Sequence, residues 1–154
     1  MRFMCDEMLA RLARLLRAAG YDTLLAADGG RDTPMLQQIK AEGRVLVTRD
    51  RRLAERAGPS AVLLSQDKTA DQAAALAARL PIDWEHAPFT RCVIDNAPLR
   101  EADEDEVGRM PADARALGGP YRACPSCGRL YWPGSHVKRM ARQLHDLARM
   151  RPQA

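Results

Sequence analysis

Glu42-Gly43-Arg44-Val45-Leu46-Val47-Thr48-Arg49-Asp50-Arg51-Arg52 is the stretch on which the fold turns. Val45-Leu46-Val47 is apolar at successive rather than alternate positions, the pattern of a strand covered on both faces, as inside a parallel sheet. Gly43 ahead of it is a natural helix stop, and Asp50 after it can open another helix, Arg51–Ala57. Working toward the N-terminus, residues 33–41 read as a helix with Thr33 as N-cap and Pro34 at its first position. Residues 23–27 read as a strand ended by Asp28-Gly29-Gly30. Met8, Leu9, Leu12, Leu15, Leu16 and Ala19 keep a helical period that Gly20 stops. Arg11, Arg14 and Arg17, three apart, fall along one polar side of that helix. Phe3-Met4-Cys5 is a strand running straight into Asp6. Toward the C-terminus, residues 61–64 read as a strand and 70–80 as an alanine-rich helix. Strand and helix alternate four times, which predicts an α/β fold: a parallel sheet with helices on both faces.

The chain has 154 residues, 46% hydrophobic, 29% charged and 5% aromatic, enough for one compact domain with a satellite. No apolar run approaches the ~18–20 residues that span a bilayer, and the first residues lack a signal-peptide core, so no membrane partner is expected. Four cysteines are too few for a secreted disulfide scaffold and fit a cytoplasmic protein with a metal site. The net charge of +4 leans toward an anionic partner, and it is unevenly spread. Residues 1–88 hold 13 basic against 12 acidic side chains, whereas 89–154 hold 11 against 8 and three of the four cysteines. The division predicts a body over 1–86 and a cysteine-bearing module over 89–154 with a basic C-terminal helix. Between them the acids from Glu101 to Glu106 read as a solvated loop or helix start.

In open α/β sheets the working site lies beyond the carboxyl ends of the strands. Asp6, Asp28, Asp32, Asp50 and Asp67 all follow strands in this reading. Gathered at one edge, such carboxylates repel one another and call for protons or a cation. Hard oxygen ligands suit Mg²⁺ or Mn²⁺, and a site of that kind can hydrolyse a phosphodiester. Each acid also has a structural reading. Asp6, Asp32 and Asp50 stand where helix caps stand, Asp28 precedes a Gly-Gly turn, and Ser65-Gln66-Asp67 is ordinary loop chemistry. Arg49, Arg51 and Arg52 can bind substrate phosphates or brace the acids.

Cys124-Pro125-Ser126-Cys127-Gly128 has the spacing of a zinc knuckle, two thiolates three residues apart followed by a turn glycine. Its partner half-site is Cys92-Val93-Ile94-Asp95, with the same spacing but an aspartate in place of a second cysteine. Either Asp95 or His136 can complete a tetrahedral Zn²⁺ site, or Cys92 is simply a buried apolar residue. Tyr131 and Trp132, followed by Lys138, Arg139, Arg142 and Arg149, mix aromatic faces with cations, which suits single-stranded RNA. The two aromatics can equally pack the module's own core.

The segments 3–23 and 42–50, Phe89-Thr90-Arg91-Cys92, and Cys124-Pro125-Ser126-Cys127-Gly128-Arg129-Leu130-Tyr131-Trp132-Pro133-Gly134-Ser135-His136 together resemble the Mut-seven C-terminal ribonuclease domain, in order and over nearly the whole chain. The resemblance implies a PIN-like nuclease core, a three-layer parallel sheet with helices on both faces, followed by a small zinc ribbon. It implies catalytic acids at Asp6, Asp32, Asp50 and Asp67, and zinc ligands at Cys92, Cys124 and Cys127. Asp95 stands where the family pattern has cysteine. Members often carry a ubiquitin-like domain ahead of the nuclease; this sequence opens on its first strand, so that domain is expected to be absent.

The leading expectation is therefore a metal-dependent ribonuclease using Mg²⁺ or Mn²⁺ at Asp6, Asp32, Asp50 and Asp67, with structural Zn²⁺ at Cys92, Asp95, Cys124 and Cys127. RNA would be bound by Arg49, Arg51, Arg52, Trp132, Lys138 and Arg139. The alternative is a non-catalytic RNA-binding zinc-ribbon protein acting with a ribosome or a toxin–antitoxin partner. A phosphoacceptor receiver fits poorly, because no lysine ends a recognisable fifth strand.

Overall fold

Four short parallel strands make the central sheet, and every one of them ends at the same edge. The structure is a computed structural model and describes residues 1–26 and 31–150. The strands are β1 (Phe3–Cys5), β2 (Thr23–Leu25), β3 (Val45–Thr48) and β4 (Ala61–Leu63), in the order β2-β1-β3-β4. The register pairs Met4 with both Leu24 and Leu46, and Val47 with Val62. The three residues of β1 are all buried, Phe3 and Cys5 on one face of the sheet and Met4 on the other.

Side chains alternate across the sheet, so successive residues of one strand feed two cores. Phe3, Cys5 and Val47 point into a large cluster with Leu9, Leu12 and Leu16. Met4 and Leu46 point the other way, to Ile39 and Leu53. Helix α1 (Ala10–Ala18) and helix α4 (Thr69–Arg79) cover the first face, and α2 (Asp32–Glu42) and α3 (Arg51–Ala57) cover the second. The α/β expectation of a parallel sheet with helices on both faces holds.

Beyond residue 88 a three-stranded antiparallel sheet, β5 (Arg100–Glu101), β6 (Arg122–Ala123) and β7 (Leu130–Tyr131), is accompanied by the short helices α5 (Glu104–Gly108) and α6 (Ala112–Ala116). The long helix α7 (Ser135–Arg149) then returns to pack on α1 and α4. Cys92, Val93, Cys124, Tyr131, Leu144 and Leu147 are therefore buried in the same cluster as Phe3 and Leu12. Part of the acidic run is a helix start, as one of its two readings had it. Asp103 and Glu106 form a reciprocal capping box for α5, and Arg100 also binds Glu106.

Three local expectations need correcting. The turn after Asp6 is 3₁₀ over Glu7–Leu9, and the α-helix proper starts at Ala10. Helix α2 starts at Asp32 with Arg31 as its N-cap, so Thr33 is not the cap and Pro34 is the third helical residue. That position tolerates proline because its N–H would have no partner within the helix. Arg17 does not share the solvent exposure of Arg11 and Arg14: it is 6% exposed. Asp28 and the end of the expected 23–27 strand lie outside the described residues. Gly20 is required where it stands, at φ +102°, since a Cβ there would come within 2.5 Å of the Ala87 carbonyl oxygen.

Candidate active site and metal centre

At the carboxyl edge of the sheet, Asp6, Glu7, Asp32 and Asp50 line one cleft of about 560 Å³, floored by Met4, Leu24 and Leu53. Asp6 occupies the N-cap position of the 3₁₀ turn but makes no side-chain cap bond. Its carboxylate instead accepts a hydrogen bond from Thr48 Oγ1 at 2.8 Å. The same hydroxyl accepts the Asp50 backbone N–H at 2.9 Å. Thr48, the last residue of β3, thus couples the two acids that leave the central strands. Asp50 is a true cap of α3: its Oδ1 accepts from the backbone N–H groups of Arg52 and Leu53 at 2.9 and 3.2 Å. Both bonds fall on Oδ1, so the cap does not consume Oδ2. Asp32, in the first turn of α2, is reached by Arg56 at 3.3 Å, a half-exposed pair.

Asp67 is not brought to this cleft. It is held at 2.6 Å by Arg49, with its own side chain 87% exposed, and it lines a different groove. Arg51 and Arg52 are exposed on the first turn of α3 and do not line the cleft. Two contributors escaped the sequence reading. Glu7 is simply the neighbour of Asp6 at the strand end, a visible signal. Thr48 gave none, because a threonine ending a strand is unremarkable until the acids around it are placed. Cys5 sits next to Asp6 in sequence but belongs to the core: burial pushes its thiol up to about 12, so at neutral pH it stays uncharged and inert.

The second centre lies across α1. One ligand atom from each of Cys92, Asp95, Cys124 and Cys127 lies within 4.8 Å of the others. Among the described residues this is the group of Cys, His, Asp and Glu side chains that converges so closely. The Cys92 and Cys127 sulfurs are 3.8 Å apart, and Cys124 Sγ is 3.2 and 3.4 Å from the two Asp95 oxygens. Zinc–sulfur bonds of about 2.3 Å in a tetrahedron require sulfurs roughly 3.8 Å apart, so the donor set fits a closed four-ligand metal site. His136 is not in this cluster. Of the two candidates for a fourth ligand, Asp95 is the one within reach.

The half-site Cys92–Asp95 is fixed to the sheet by Arg17 from α1 and by Asn96, the residue that follows it. Arg17 Nε donates to the Thr23 carbonyl at 2.8 Å, and Nη1 donates to the carbonyls of Val93 and Ile94 at 3.1 and 2.9 Å. Asn96 Oδ1 accepts from the Thr23 N–H at 2.9 Å, while Asn96 Nδ2 donates to Asp22 at 2.7 Å. Tyr131 is a core residue, with its hydroxyl on Cys92 Sγ at 3.1 Å. The buried guanidinium binds only carbonyls, while Cys92 and Asp95 stand close enough to act on its charge. Were a divalent ion held there by three thiolates and a carboxylate, the centre would carry net negative charge and would supply the compensation a buried cation needs. Arg17→Met is expected to lower stability by about 3 kcal/mol, because three carbonyls lose their donor. Arg17→Lys should not restore it, since one ammonium cannot serve a fork geometry. Thermal unfolding reads this out, and a melting temperature within a degree of wild type would refute it.

A family model described as the Mut7-C RNAse domain matches residues 1–144. No curated protein and no solved structure matches the chain. Among the described residues no helix is long and apolar enough to cross a membrane.

Proposed function

The chain belongs to the Mut7-C RNAse domain family, and from that premise we propose that it is a divalent-metal-dependent, PIN-like ribonuclease whose acids are Asp6, Asp32 and Asp50. A ribonuclease-type function, with RNA as substrate, follows from the family. What supports the finer reading is the cleft, lined by the acid that follows β1, the acid in the first turn of α2 and the acid that caps α3, with Glu7 beside them. Carboxylates at that density suit Mg²⁺ or Mn²⁺, and a cation bound there supplies charge neutralisation and Lewis acidity for hydrolysis of a P–O bond.

The chain's own residues prepare the site. Thr48 orients the Asp6 carboxylate, and the α3 N-terminus fixes Asp50 through backbone donors, so neither acid must be ordered when substrate arrives. Asp67 is left to hold Arg49 rather than to take part in the reaction. Zn²⁺ on Cys92, Asp95, Cys124 and Cys127 is structural in this reading, because four protein ligands leave no open position.

The test is cleavage of single-stranded RNA by the purified chain. Products should form with added Mn²⁺ or Mg²⁺ and not without a divalent ion. Equal cleavage in both conditions would overturn the metal-dependent mechanism. Tight RNA binding without turnover under any ion would favour the non-catalytic RNA-binding alternative.

A further inference from the structure

Beside the acid cleft lies a larger groove of about 1130 Å³, built by both halves of the chain. Arg11 and Arg14 come from α1, Lys68 immediately precedes α4, Arg129 immediately precedes β7, and Arg139 comes from α7. All five are exposed. Among the described residues the ion pairs engage Arg44, Arg49, Arg56, Arg100 and His145, and none engages these five. Asp67, the carboxylate in the lining, is already committed to Arg49. A groove lined by cations without carboxylate partners is complementary to a polyanion.

Its position says which polyanion. Met8, 65% exposed, lines both the groove and the acid cleft, so the two adjoin at that side chain. At the other end, Arg129 and His136 also line a small cavity of about 240 Å³ beside the half-buried Trp132. Among the cations the lining mixes the apolar side chains of Met8, Ile94 and Met140 with the polar ones of Thr69, Gln72 and Gln143. Arginines for phosphates, with apolar and aromatic faces for bases, match an unpaired strand better than a duplex, whose bases are hidden.

We propose that this groove is the binding track for single-stranded RNA, leading from the acid cleft past Arg11, Arg14 and Arg139 to a base-stacking position at Trp132. The direction of the track rests on the ribonuclease reading of the cleft. From sequence alone, RNA binding is expected of Arg49, Arg51, Arg52, Trp132, Lys138 and Arg139. The track keeps Trp132 and Arg139 and replaces the others with α1 arginines, which no pattern within the C-terminal module could reveal.

The experiment measures affinity for a fluorescent single-stranded RNA of about 20 nucleotides, long enough to exceed one strand-binding site. It uses the full chain carrying Asp6→Asn, so that no RNA is consumed. Arg14→Gln with Arg139→Gln should raise Kd about tenfold. It should also flatten the dependence of log K on log salt by about 1.4, from roughly 0.7 per phosphate contact on a single strand. Arg14→Lys with Arg139→Lys should retain most of the affinity, since the charges stay. Arg109→Gln with Arg115→Gln removes the same charge from exposed positions on and beside α5 and α6 and should leave Kd within twofold. A groove variant with unchanged Kd and salt slope, or a control variant equally weakened, would overturn the track. So would a duplex of the same sequence binding as tightly as the single strand. The readout does not depend on turnover. A wild-type chain that never cleaves RNA but binds through Arg14 and Arg139 would refute the hydrolytic mechanism while supporting the track.

Discussion

Asp50→Asn is expected to lower metal-dependent RNA cleavage by about a thousandfold while leaving the protein folded. The carboxylate provides charge to hold a divalent ion, and losing one such ligand removes about 4 kcal/mol of transition-state stabilisation, close to three decades in rate. Asparagine caps a helix about as well as aspartate, so the bonds that Oδ1 accepts from Arg52 and Leu53 survive. Unfolding should therefore shift by no more than about 1 kcal/mol. Asp6→Asn should be comparably inactive, with Thr48 still donating to the amide oxygen. Asp67→Asn separates the cleft from the rest of the strand-end acids. It breaks only an exposed ion pair with Arg49 and should retain activity within about threefold, as exposed pairs contribute little. The measurement is single-turnover cleavage with Mn²⁺, with thermal unfolding of each variant alongside. Full activity of Asp50→Asn, or an Asp67→Asn as inactive as Asp6→Asn, would defeat the assignment of the cleft.

The contrast between Asp50 and Asp67 also marks where the sequence stopped being readable. Unbroken apolar character at Val45-Leu46-Val47 signalled a strand with two covered faces, and the alternation of strands with helices then limited the sheet to a parallel one. Asp6 and Asp50 were legible for the same reason: in a parallel sheet every strand end lies on one edge. Being near that edge is not the same as lining its cleft, and the pattern could not tell Asp32, turned in on α2, from Asp67, drawn away by Arg49. Arg17 was illegible for a different reason. Its period of three with Arg11 and Arg14 marks a helix side, and that side faces solvent at two positions but the Cys92–Asp95 loop at the third. The loop is more than seventy residues away, so the partner is a tertiary fact with no local signature. Asn96 was hidden in the same way, and so was the return of α7 onto α1 and α4. The groove between those helices consequently has a basic lining that neither half of the sequence displays alone.

Removal of the metal from the cysteine cluster is expected to destabilise the whole chain, lowering the melting temperature by about 15 °C or more. Binding of a structural zinc contributes about 10–16 kcal/mol, comparable with the entire stability of a domain. The loss cannot stay local, because Cys92, Val93, Cys124 and Tyr131 share one buried cluster with Phe3, Leu12 and Leu16, and Arg17 binds both Thr23 and the Val93–Ile94 carbonyls. Asp95 allows the ligand role to be separated from the architectural one. Its Oδ1 also accepts the Ala97 N–H at 3.0 Å, closing the turn that presents Cys92. Asp95→Asn keeps that turn but loses the anionic oxygen, so the metal should be released to a chelator at least about tenfold faster, as loss of a coordinating interaction does. Asp95→Cys supplies a fourth thiolate at the same spacing and should slow release below wild type, since zinc takes four sulfurs readily. Zinc content after dialysis and the rate of transfer to a chromogenic chelator measure both. If all three proteins release zinc at one rate, Asp95 is a turn residue only. If the purified chain folds with no metal at all, the cluster is not a metal centre, and the Asp95 carboxylate is left as the neighbouring charge that offsets Arg17.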